Sequence, residues 1–423
     1  MSNVRVKIIA NFITQLSPFV IRYVNAAIEK YSIFVVAMSK EFPKSGGITV
    51  IEGPRGTRPD ERELLKACVG TVFRSSLMDE YPQLFHNGNL DNCRIILDNG
   101  RIVSHVGLTQ QWASIFGCRV GVGCIGGVGT LKEHRGKGYA TKLFDDASAK
   151  CYAEGYDFMI ISGDRALYRR AGCRSVGLDY HATLETRDAA RFDVGVSIVE
   201  AKPADIPKLS VVYCREPVRF IRPREMFERA FESSVVMNRF SNFWLIYQGE
   251  SLRSYAIVSK PRQDGESIRI AEYAGERVSV LGALTQIAAF YNRRRVNLHV
   301  SGHDTVMQGL LQESGVRLEP THAAGTVQIV NFAQLMERLR PYFAEVLGEA
   351  TANQLWFTAT DGGYQIRYGG DVITIPDCGE AAHLIFGTRE EIVADRLASG
   401  GKAGDLMREV LPIPALWYGI NYV

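Results

Sequence analysis

The sequence has little net charge and no long hydrophobic run free of charged residues. The apolar stretch from Ile8 to Met38 carries Arg22, Glu29 and Lys30, so no charge-free run reaches the roughly 20 residues of a membrane-spanning helix. No small-residue cleavage site of a signal peptide is evident. A net charge of +3 over 423 residues gives no support for nucleic-acid binding. We therefore expect a cytoplasmic protein with neither a membrane nor a nucleic acid as a partner.

Cysteine and histidine patterns typical of metal or redox sites are also absent. The eight cysteines include no C-x-x-C pair, so the sequence lacks the combination of paired cysteines and paired histidines that is typical of a zinc site. Cys68, Cys118 and Cys124 lie inside apolar runs, which is typical of reduced, buried thiols that pack as small apolar residues. We expect neither a bound metal nor disulfide bonds.

The length and the composition describe an ordinary multidomain protein. A chain of 423 residues is too long for one hydrophobic core and predicts about three domains. Hydrophobic residues make up 46% of the chain and charged residues 22%, as in globular proteins generally.

The most informative stretch runs from Cys124 to Cys151. It begins as a strand, passes through the basic glycine-rich turn Arg135-Gly136-Lys137-Gly138, and continues as an amphipathic helix. Residues that recur every four positions predict one apolar helix face, namely Tyr139, Leu143, Ala147 and Cys151. A glycine-rich turn before a helix is typical of an anion site, because the backbone can approach a ligand and the first helical N–H groups lack intrahelical partners.

Two familiar phosphate-binding patterns do not fit this stretch. A P-loop would need glycine at position 131 and Ser or Thr at position 138, where this chain has Leu131 and Gly138. A dinucleotide fingerprint occurs over residues 121–126, but more strand-like sequence follows it and the helix begins about ten residues too late.

A third pattern, Arg-x-x-Gly-x-Ala, is satisfied by Arg135, Gly138 and Ala140. It resembles the acyl-CoA signature of the Gcn5-related N-acetyltransferases (GNAT). That family also places a tyrosine on a short helix after the next strand, and here Tyr168-x-x-x-Gly172 follows the strand Phe158–Ile161. The alternative is a surface turn in which Arg135 and Lys137 are merely solvated and Tyr168 only packs.

The resemblance implies acetyl-CoA as co-substrate and assigns residues to it. The turn and the helix start would hold the pyrophosphate, the strand end would face the pantetheine arm and the thioester oxygen, and residues after the next strand would complete the site. The implied residues are Val128, Gly129, Thr130, Arg135, Gly136, Lys137, Gly138, Tyr139, Ala140, Thr141, Gly163 and Asp164.

The order of predicted elements extends the resemblance. A β-α-α-β-β-β-α-β order over residues 46–185, with a hairpin turn at Asp98-Asn99-Gly100, is that of the GNAT fold. A second, degenerate copy is predicted over 186–328 and would supply a wall rather than chemistry. A further domain over 329–423 opens with a predicted helix over 332–347, and residues 390–397 are also predicted helical. Residues 1–45 are an extension of unknown role.

This three-part order resembles the enhanced-intracellular-survival (Eis) family, which has two tandem acetyltransferase folds and a sterol-carrier-like C-terminal domain. The resemblance implies a mixed α+β fold, acetylation of primary amines such as aminoglycosides, polyamines or lysine-like groups, and a homo-oligomer, typically a hexamer. The alternative that the residues leave open is a non-catalytic acyl-CoA sensor or scaffold.

The resemblance also implies catalytic roles. Tyr168 would be the general acid for the leaving thiolate, and the terminal carboxylate of Val423 would be the base that deprotonates the acceptor. The apolar, aromatic stretch 411–423 gives a reason for that terminus to be buried. Asp79 and Glu80 are candidates for attracting a cationic amine to the rim of the pocket.

Overall fold

The computed structural model describes residues 50–261, 265–323, 325–388 and 397–423. The predicted extension over 1–45 lies outside the described residues, as does all but the last residue of the helix predicted over 390–397. In the ranges that are described, no helix is long and apolar enough to cross a membrane.

The first sheet has the strand order β1-β2-β3-β4-β5-β15, and β8 pairs with β3. Its strands are β1 (Ile51–Gly56), β2 (Cys93–Asp98), β3 (Arg101–Ile115), β4 (Cys118–Thr130), β5 (Phe158–Ile161), β8 (Val218–Ile221) and β15 (Thr326–Ile329). The helices of this region are α1 (Arg62–Val72), α2 (Leu77–Glu80), α3 (Pro82–Phe85), α4 (Tyr139–Ala153) and α5 (Ala166–Arg170). The predicted hairpin is confirmed, since Asn99 (φ 49°) and Gly100 (φ 77°) join β2 to β3.

The second sheet has the order β14-β6-β13-β12-β11-β10-β7, and β9 pairs with β10. Its strands are β6 (Asp179–Glu185), β7 (Val196–Glu200), β9 (Val235–Val236), β10 (Arg239–Gln248), β11 (Ser251–Ser259), β12 (Ser267–Gly275), β13 (Arg295–Ser301) and β14 (Leu318–Thr321). The helices are α6 (Thr186–Ala189), α7 (Ile206–Tyr213), α8 (Arg224–Ser233), α9 (Arg277–Phe290) and α10 (Thr305–Glu313).

Both large sheets are mixed, because each combines antiparallel strands with one parallel pair, β4–β5 or β12–β13. The predicted mixed α+β fold class is confirmed. The sheets divide the chain differently from the predicted boundaries at residues 185 and 328, however. Strand β6 pairs with β13 in the second sheet, whereas β15 pairs with β5 and completes the first. Each sheet therefore contains at least one strand from beyond its predicted domain, and the first contains two, β8 and β15.

A three-stranded antiparallel sheet follows, with its helices. The elements are α11 (Phe332–Arg338), α12 (Arg340–Leu347), α13 (Glu349–Ala352), β16 (Leu355–Thr360), β17 (Gly363–Tyr368), β18 (Asp371–Ile375), α14 (Cys378–Phe386) and α15 (Gly401–Val410). The helix predicted over 332–347 is divided at Leu339, because Pro341 in the next turn has no N–H for the preceding helix. The likeness of this region to a sterol carrier stays a prediction.

The C-terminal segment, residues 411–423, is buried as predicted. Tyr418 is 1% exposed, Ile420 3% and Val423 4%. Within the segment, the Ile413 amide donates to the carbonyl oxygen of Ile385, and Gly419 turns the backbone with a φ of 50°.

A buried ion pair fixes the end of this segment. The guanidinium of Arg222 donates to both carboxylate oxygens of Glu272, at 2.7 and 2.6 Å. Glu272 also accepts from the hydroxyl of Tyr255 at 2.6 Å and from the Ile420 amide at 3.0 Å. Arg222 donates through Nε to the side-chain oxygen of Asn421 at 2.6 Å. The pair therefore binds two consecutive residues of the C-terminal segment.

Removal of one partner of this pair should be costly. We expect Arg222→Met to lower the free energy of unfolding by about 3–5 kcal/mol, because Glu272 would be left buried without its cationic partner. The double variant Arg222→Met with Glu272→Leu should lose less, since it leaves no buried charge. Urea unfolding measures both. A double variant less stable than the single one would contradict this account of the pair.

Candidate active site

The site begins where two parallel strands separate. Strands β4 and β5 are paired from Val122 opposite Phe158 to Ile125 opposite Ile161, and the pairing ends there. Beyond that point β4 bulges, because Gly126 lies opposite Gly107 but Gly129 lies opposite His105. Gly127 takes a φ of 56° within the bulge. The result is a gap between the ends of the two strands, with backbone of the bulge on one side.

The glycine turn that follows β4 is open to solvent. Gly136 and Gly138 have φ values of 80° and 76°, and a Cβ added at either would meet nothing within 4 Å. Gly138 is the N-cap of α4, and no side chain caps this helix. The first N–H groups of the helix, at Tyr139, Ala140 and Thr141, are therefore available to an anion such as a pyrophosphate.

The two basic residues of the turn lie on its exposed side. Arg135 donates through Nε to the carbonyl oxygen of Thr130 at 3.2 Å. The Nζ atom of Lys137 lies 3.4 Å from Nδ1 of His134 and 6.0 Å from the ring centre of Tyr139. Neither residue forms an ion pair within the part of the chain that the structure describes, so both charges remain available to a ligand.

A cavity of about 300 Å³ lies at the gap between the strands. Of the residues predicted from the sequence, it brings together Val128, Gly163, Tyr168 and Val423. Gly129, Thr130 and the turn residues do not line it. Asp164 does not line it either, and its exposed carboxylate lies 3.5 Å from Arg169.

Tyr168 presents its side chain to this cavity from α5. The residue is 4% exposed, and its ring centre lies 5.5 Å from that of Phe144. Its hydroxyl makes no hydrogen bond to any of the described residues. Burial raises the pKa of Tyr168 above its ordinary value of 10, although the positive charge of Arg165 opposes the rise. The phenol is therefore protonated throughout the neutral range and can act as a proton donor.

The backbone end of Val423 lies against Gly126 on the opposite wall. A Cβ added at Gly126 would overlap the carbonyl carbon and oxygen of Val423, so only glycine leaves room for this contact. The neighbouring Tyr422 also lines the cavity and packs against Tyr81, with ring centres 6.3 Å apart. The fold thus places the backbone end of Val423 and the phenol of Tyr168 around one small cavity.

The sequence did not reveal the other walls of the cavity. They come from the first helices and the residues next to them, from the loop after β5 and from the loop before β10, and they comprise Phe73, Arg74, Leu77, Tyr81, Leu84, Phe85, Ser162, Arg165 and Asn238. The Tyr81 hydroxyl donates to the side-chain oxygen of Asn238 at 2.7 Å. No sequence pattern indicates such walls, because residues 81 and 238 meet only in the folded chain.

The acidic pair expected at the rim is already neutralised. Arg74 binds the carboxylate of Glu80 through several N–O contacts, and Ser76 donates to it at 2.5 Å. This arginine is the main reason that the pKa of Glu80 is lowered. Asp79 lies 3.9 Å from Lys66. Neither residue lines the cavity, so the expected attraction of a cationic amine by these acids is not supported.

The corresponding turn of the second sheet is closed to anions. Its Gly275 amide donates to the carboxylate of Glu216 at 2.7 Å. Arg277 donates to Glu216 and to Asp304, at distances of 2.6–2.8 Å. A carboxylate of the protein thus holds the donors that would otherwise meet a phosphate, and it would repel one.

A side chain also fills the gap between β12 and β13. These strands are paired from Ser267 opposite Arg295 to Ile270 opposite Leu298, and then separate. Trp417 donates through Nε1 to the carbonyl oxygen of Ala271 at 2.8 Å. Its ring stacks on His299 with centres 3.4 Å apart. The described residues contain no cluster of three or more His, Cys, Asp or Glu side chains that could hold a metal ion.

Comparisons with known proteins agree with this fold. The family described as "Acetyltransferase (GNAT) domain" matches residues 54–176. No curated protein matches the chain. The chain is similar in fold to a conserved protein of Enterococcus faecalis described as a probable N-acyltransferase, with 14% identity, a TM-score of 0.64, and coverage of 88% of this chain and 99% of that one.

Two GCN5-related N-acetyltransferases share the fold over a similar length. The protein from Anabaena variabilis is 17% identical with a TM-score of 0.62, and the alignment covers 89% of this chain and 100% of that chain. The protein from Kribbella flavida is 14% identical with a TM-score of 0.58, and the alignment covers 89% and 98%. The specific likeness to the Eis family stays a prediction.

The contact between Gly126 and Val423 can be tested without an activity assay. We expect Gly126→Ala to displace the end of the chain, because the new Cβ has no room beside the Val423 carbonyl. Carboxypeptidase should then release valine from the folded variant faster than from the wild-type protein, in which Val423 is buried. Gly309→Ala is the control, since a Cβ at Gly309 meets nothing within 4 Å. Equal release from all three proteins would contradict the contact.

Proposed function

We propose that the protein transfers an acetyl group from acetyl-CoA to a primary amine by direct attack in a ternary complex, since residues 54–176 match the GNAT acetyltransferase domain. The observation that carries the proposal is one cavity, lined by the phenol of Tyr168 and the carboxyl end of Val423, at a strand gap that is followed by an open glycine turn. Bound acetyl-CoA would supply the thioester, whose C–S bond breaks as the new C–N bond forms.

The turn and the start of α4 would hold the coenzyme. The backbone at Gly136 and Gly138 borders open space, and the uncapped N-terminal end of a 15-residue helix favours negative charge. Arg135 and Lys137 add two positive charges that no described carboxylate neutralises. Val128 at the bulge would present its backbone N–H to the thioester oxygen, which becomes more negative in the transition state. The filled gap and turn of the second sheet support a single coenzyme site.

The acceptor must lose a proton before or during attack. A primary amine has a pKa near 10.4 and is mostly protonated at neutral pH. We assign the role of base to the terminal carboxylate of Val423, which the packing against Gly126 brings into the cavity. The hydrogen bond from Arg222 to Asn421 holds this end of the chain in place, so no conformational entropy is lost in positioning the base when the reaction occurs.

The leaving thiolate must gain a proton, and Tyr168 is the donor in this proposal. A phenol with a pKa above 10 gives its proton to a thiolate whose acid has a pKa near 8.5 at a cost of at least roughly 2 kcal/mol. Such a step is easily accommodated in the barrier of an enzyme with ordinary turnover, which is several times larger.

Amine-dependent release of CoA thiol from acetyl-CoA tests the activity, and Tyr168→Phe tests the acid. We expect this variant to lower kcat about a hundredfold while leaving acetyl-CoA affinity unchanged, since only the proton donor is removed. Because the pKa of Tyr168 is raised, the wild-type kcat should show no loss from Tyr168 ionisation below about pH 10.

Two outcomes would contradict this scheme. An unchanged kcat in Tyr168→Phe would contradict the role of Tyr168 as the general acid. Tight binding of acetyl-CoA with no thiol release across a broad amine panel would instead favour the alternative function, an acyl-CoA sensor or scaffold.

The base is tested by removing its charge and keeping its shape. A protein whose Val423 ends in a carboxamide, made by ligation, should fold normally and lose kcat about a hundredfold or more at neutral pH. Val423→Ala, which keeps the carboxylate, should retain most of the activity. If the carboxamide protein is fully active, the carboxylate is not the base.

A further inference from the structure

An open groove of about 740 Å³ lies beside the catalytic cavity. Asn238 and Tyr422 line both spaces, so a molecule with its reactive end in the cavity can extend into the groove. The other walls of the groove come from the second sheet and its loops, at Arg239, Phe240 and Lys260 among others. The glycine turn that would hold the coenzyme follows β4 in the first sheet and does not line the groove. The groove is therefore on the acceptor side of the cavity.

The groove is basic. Its lining includes Arg239, Lys260 and Arg269, and no Asp or Glu occurs among the described residues that line either the groove or the cavity. The structure gives none of the three side chains a hydrogen bond or an ion pair with another described residue. Three neighbouring cations without a carboxylate are unusual, because charged side chains that are not fully exposed are commonly paired.

Two of these cations are partly buried. Arg239 and Arg269 are each half-buried, and both line the same groove. Burial, followed by the charge of Arg239, lowers the pKa of Arg269. The groove thus contains two positively charged guanidinium groups that are partly shielded from solvent. An anionic ligand would relieve this repulsion, and guanidinium groups suit planar or tetrahedral anions such as carboxylate and phosphate.

Apart from the terminal carboxylate that we assign as the base, no negative charge among the described residues lines the cavity to attract a cationic acceptor. Glu80 is taken by Arg74, and the cavity itself is lined by Arg74 and Arg165. A polycation that placed one amine beside Val423 would place its remaining ammonium groups near Arg239 and Arg269. Like-charge contacts of this kind disfavour a ligand and so contribute to specificity.

We infer that the acceptor is a small primary amine that also carries a carboxylate or phosphate group, which Arg239 and Arg269 bind in the groove while the amine enters the cavity. This inference rests on the proposed function and narrows it. Among the amines that the sequence left open, it disfavours aminoglycosides and polyamines.

The test uses amines of equal length and different charge. The purified protein is assayed with 6-aminohexanoate, 6-aminohexyl phosphate, hexylamine and 1,6-diaminohexane, and with the corresponding shorter and longer chains. We expect kcat/KM for the better anionic series to exceed that of the diamines by tenfold or more, the ratio that one charged hydrogen bond of about 1.5 kcal/mol provides. The two anionic series distinguish carboxylate from phosphate.

The variants Arg239→Gln and Arg269→Gln should remove this preference. KM for the anionic amine should rise about tenfold or more, while KM for acetyl-CoA and kcat/KM for hexylamine stay unchanged. Arg187→Gln is the matched control, since this side chain is 84% exposed and lines neither space. An increase in the KM for acetyl-CoA instead would mean that the arginines serve the coenzyme, and it would overturn the inference.

Calorimetric binding of the same amines separates the two proposals. If the anionic amine binds and the arginine variants lower its affinity tenfold, the role of the groove in binding the anionic group is supported, even when no thiol is released. In that case only the proposed enzymatic activity fails. If thiol is released with all amines at similar kcat/KM, the enzyme stands and the inference fails. Preference for the diamines would overturn it as well.

Discussion

The buried pair of Arg222 and Glu272 is the contact on which the candidate site depends. Both side chains are almost fully withdrawn from solvent, at 1% and 5% exposure, and each would be costly to bury alone. Together they bind Ile420 and Asn421, three and two residues before Val423. Asn421 in turn donates to Gln111 on β3 of the first sheet. The pair thus links an arginine beside one sheet, a glutamate in the other and the C-terminal segment.

The two sheets show how similar frameworks can differ in what they hold. In both, a parallel pair of strands separates and a glycine turn follows. In the first sheet the gap and the turn are open. In the second, Trp417 fills the gap and Glu216 takes the donors of the turn. The C-terminal segment that places Trp417 in the gap between β12 and β13 continues to Val423, which lines the cavity at the gap between β4 and β5. One stretch of chain therefore closes the gap in the second sheet and forms part of the candidate site in the first.

The charge around the cavity depends on which side chains form ion pairs and not on the amino-acid composition of the chain. The chain as a whole is nearly neutral, and the acids that lie close in sequence to the cavity residues are neutralised by Arg74 and Lys66. The basic residues of the groove come from separate strands, with Arg239 and Arg269 thirty positions apart in the chain. Their proximity arises because β12 and β10 flank β11 in the second sheet. The electrostatic character of the acceptor side is therefore a property of strand order.

The parts of the site that depend only on neighbouring residues could be predicted from the sequence. Glycines at 136 and 138, the four-residue recurrence of apolar residues along α4, and the Asn99-Gly100 turn require only neighbouring residues, and the structure has each where the sequence predicts it. The apolar end of the chain likewise predicted its own burial. Three features became visible only in the folded chain. They are the placement of β6 in the second sheet and of β15 in the first, the cavity walls formed by Tyr81 and Asn238, and the contact of Gly126 with Val423. These features depend on pairing between segments that are distant in sequence. The periodicity of apolar residues predicts which face of a strand or helix is buried, but it does not predict which other element packs against that face.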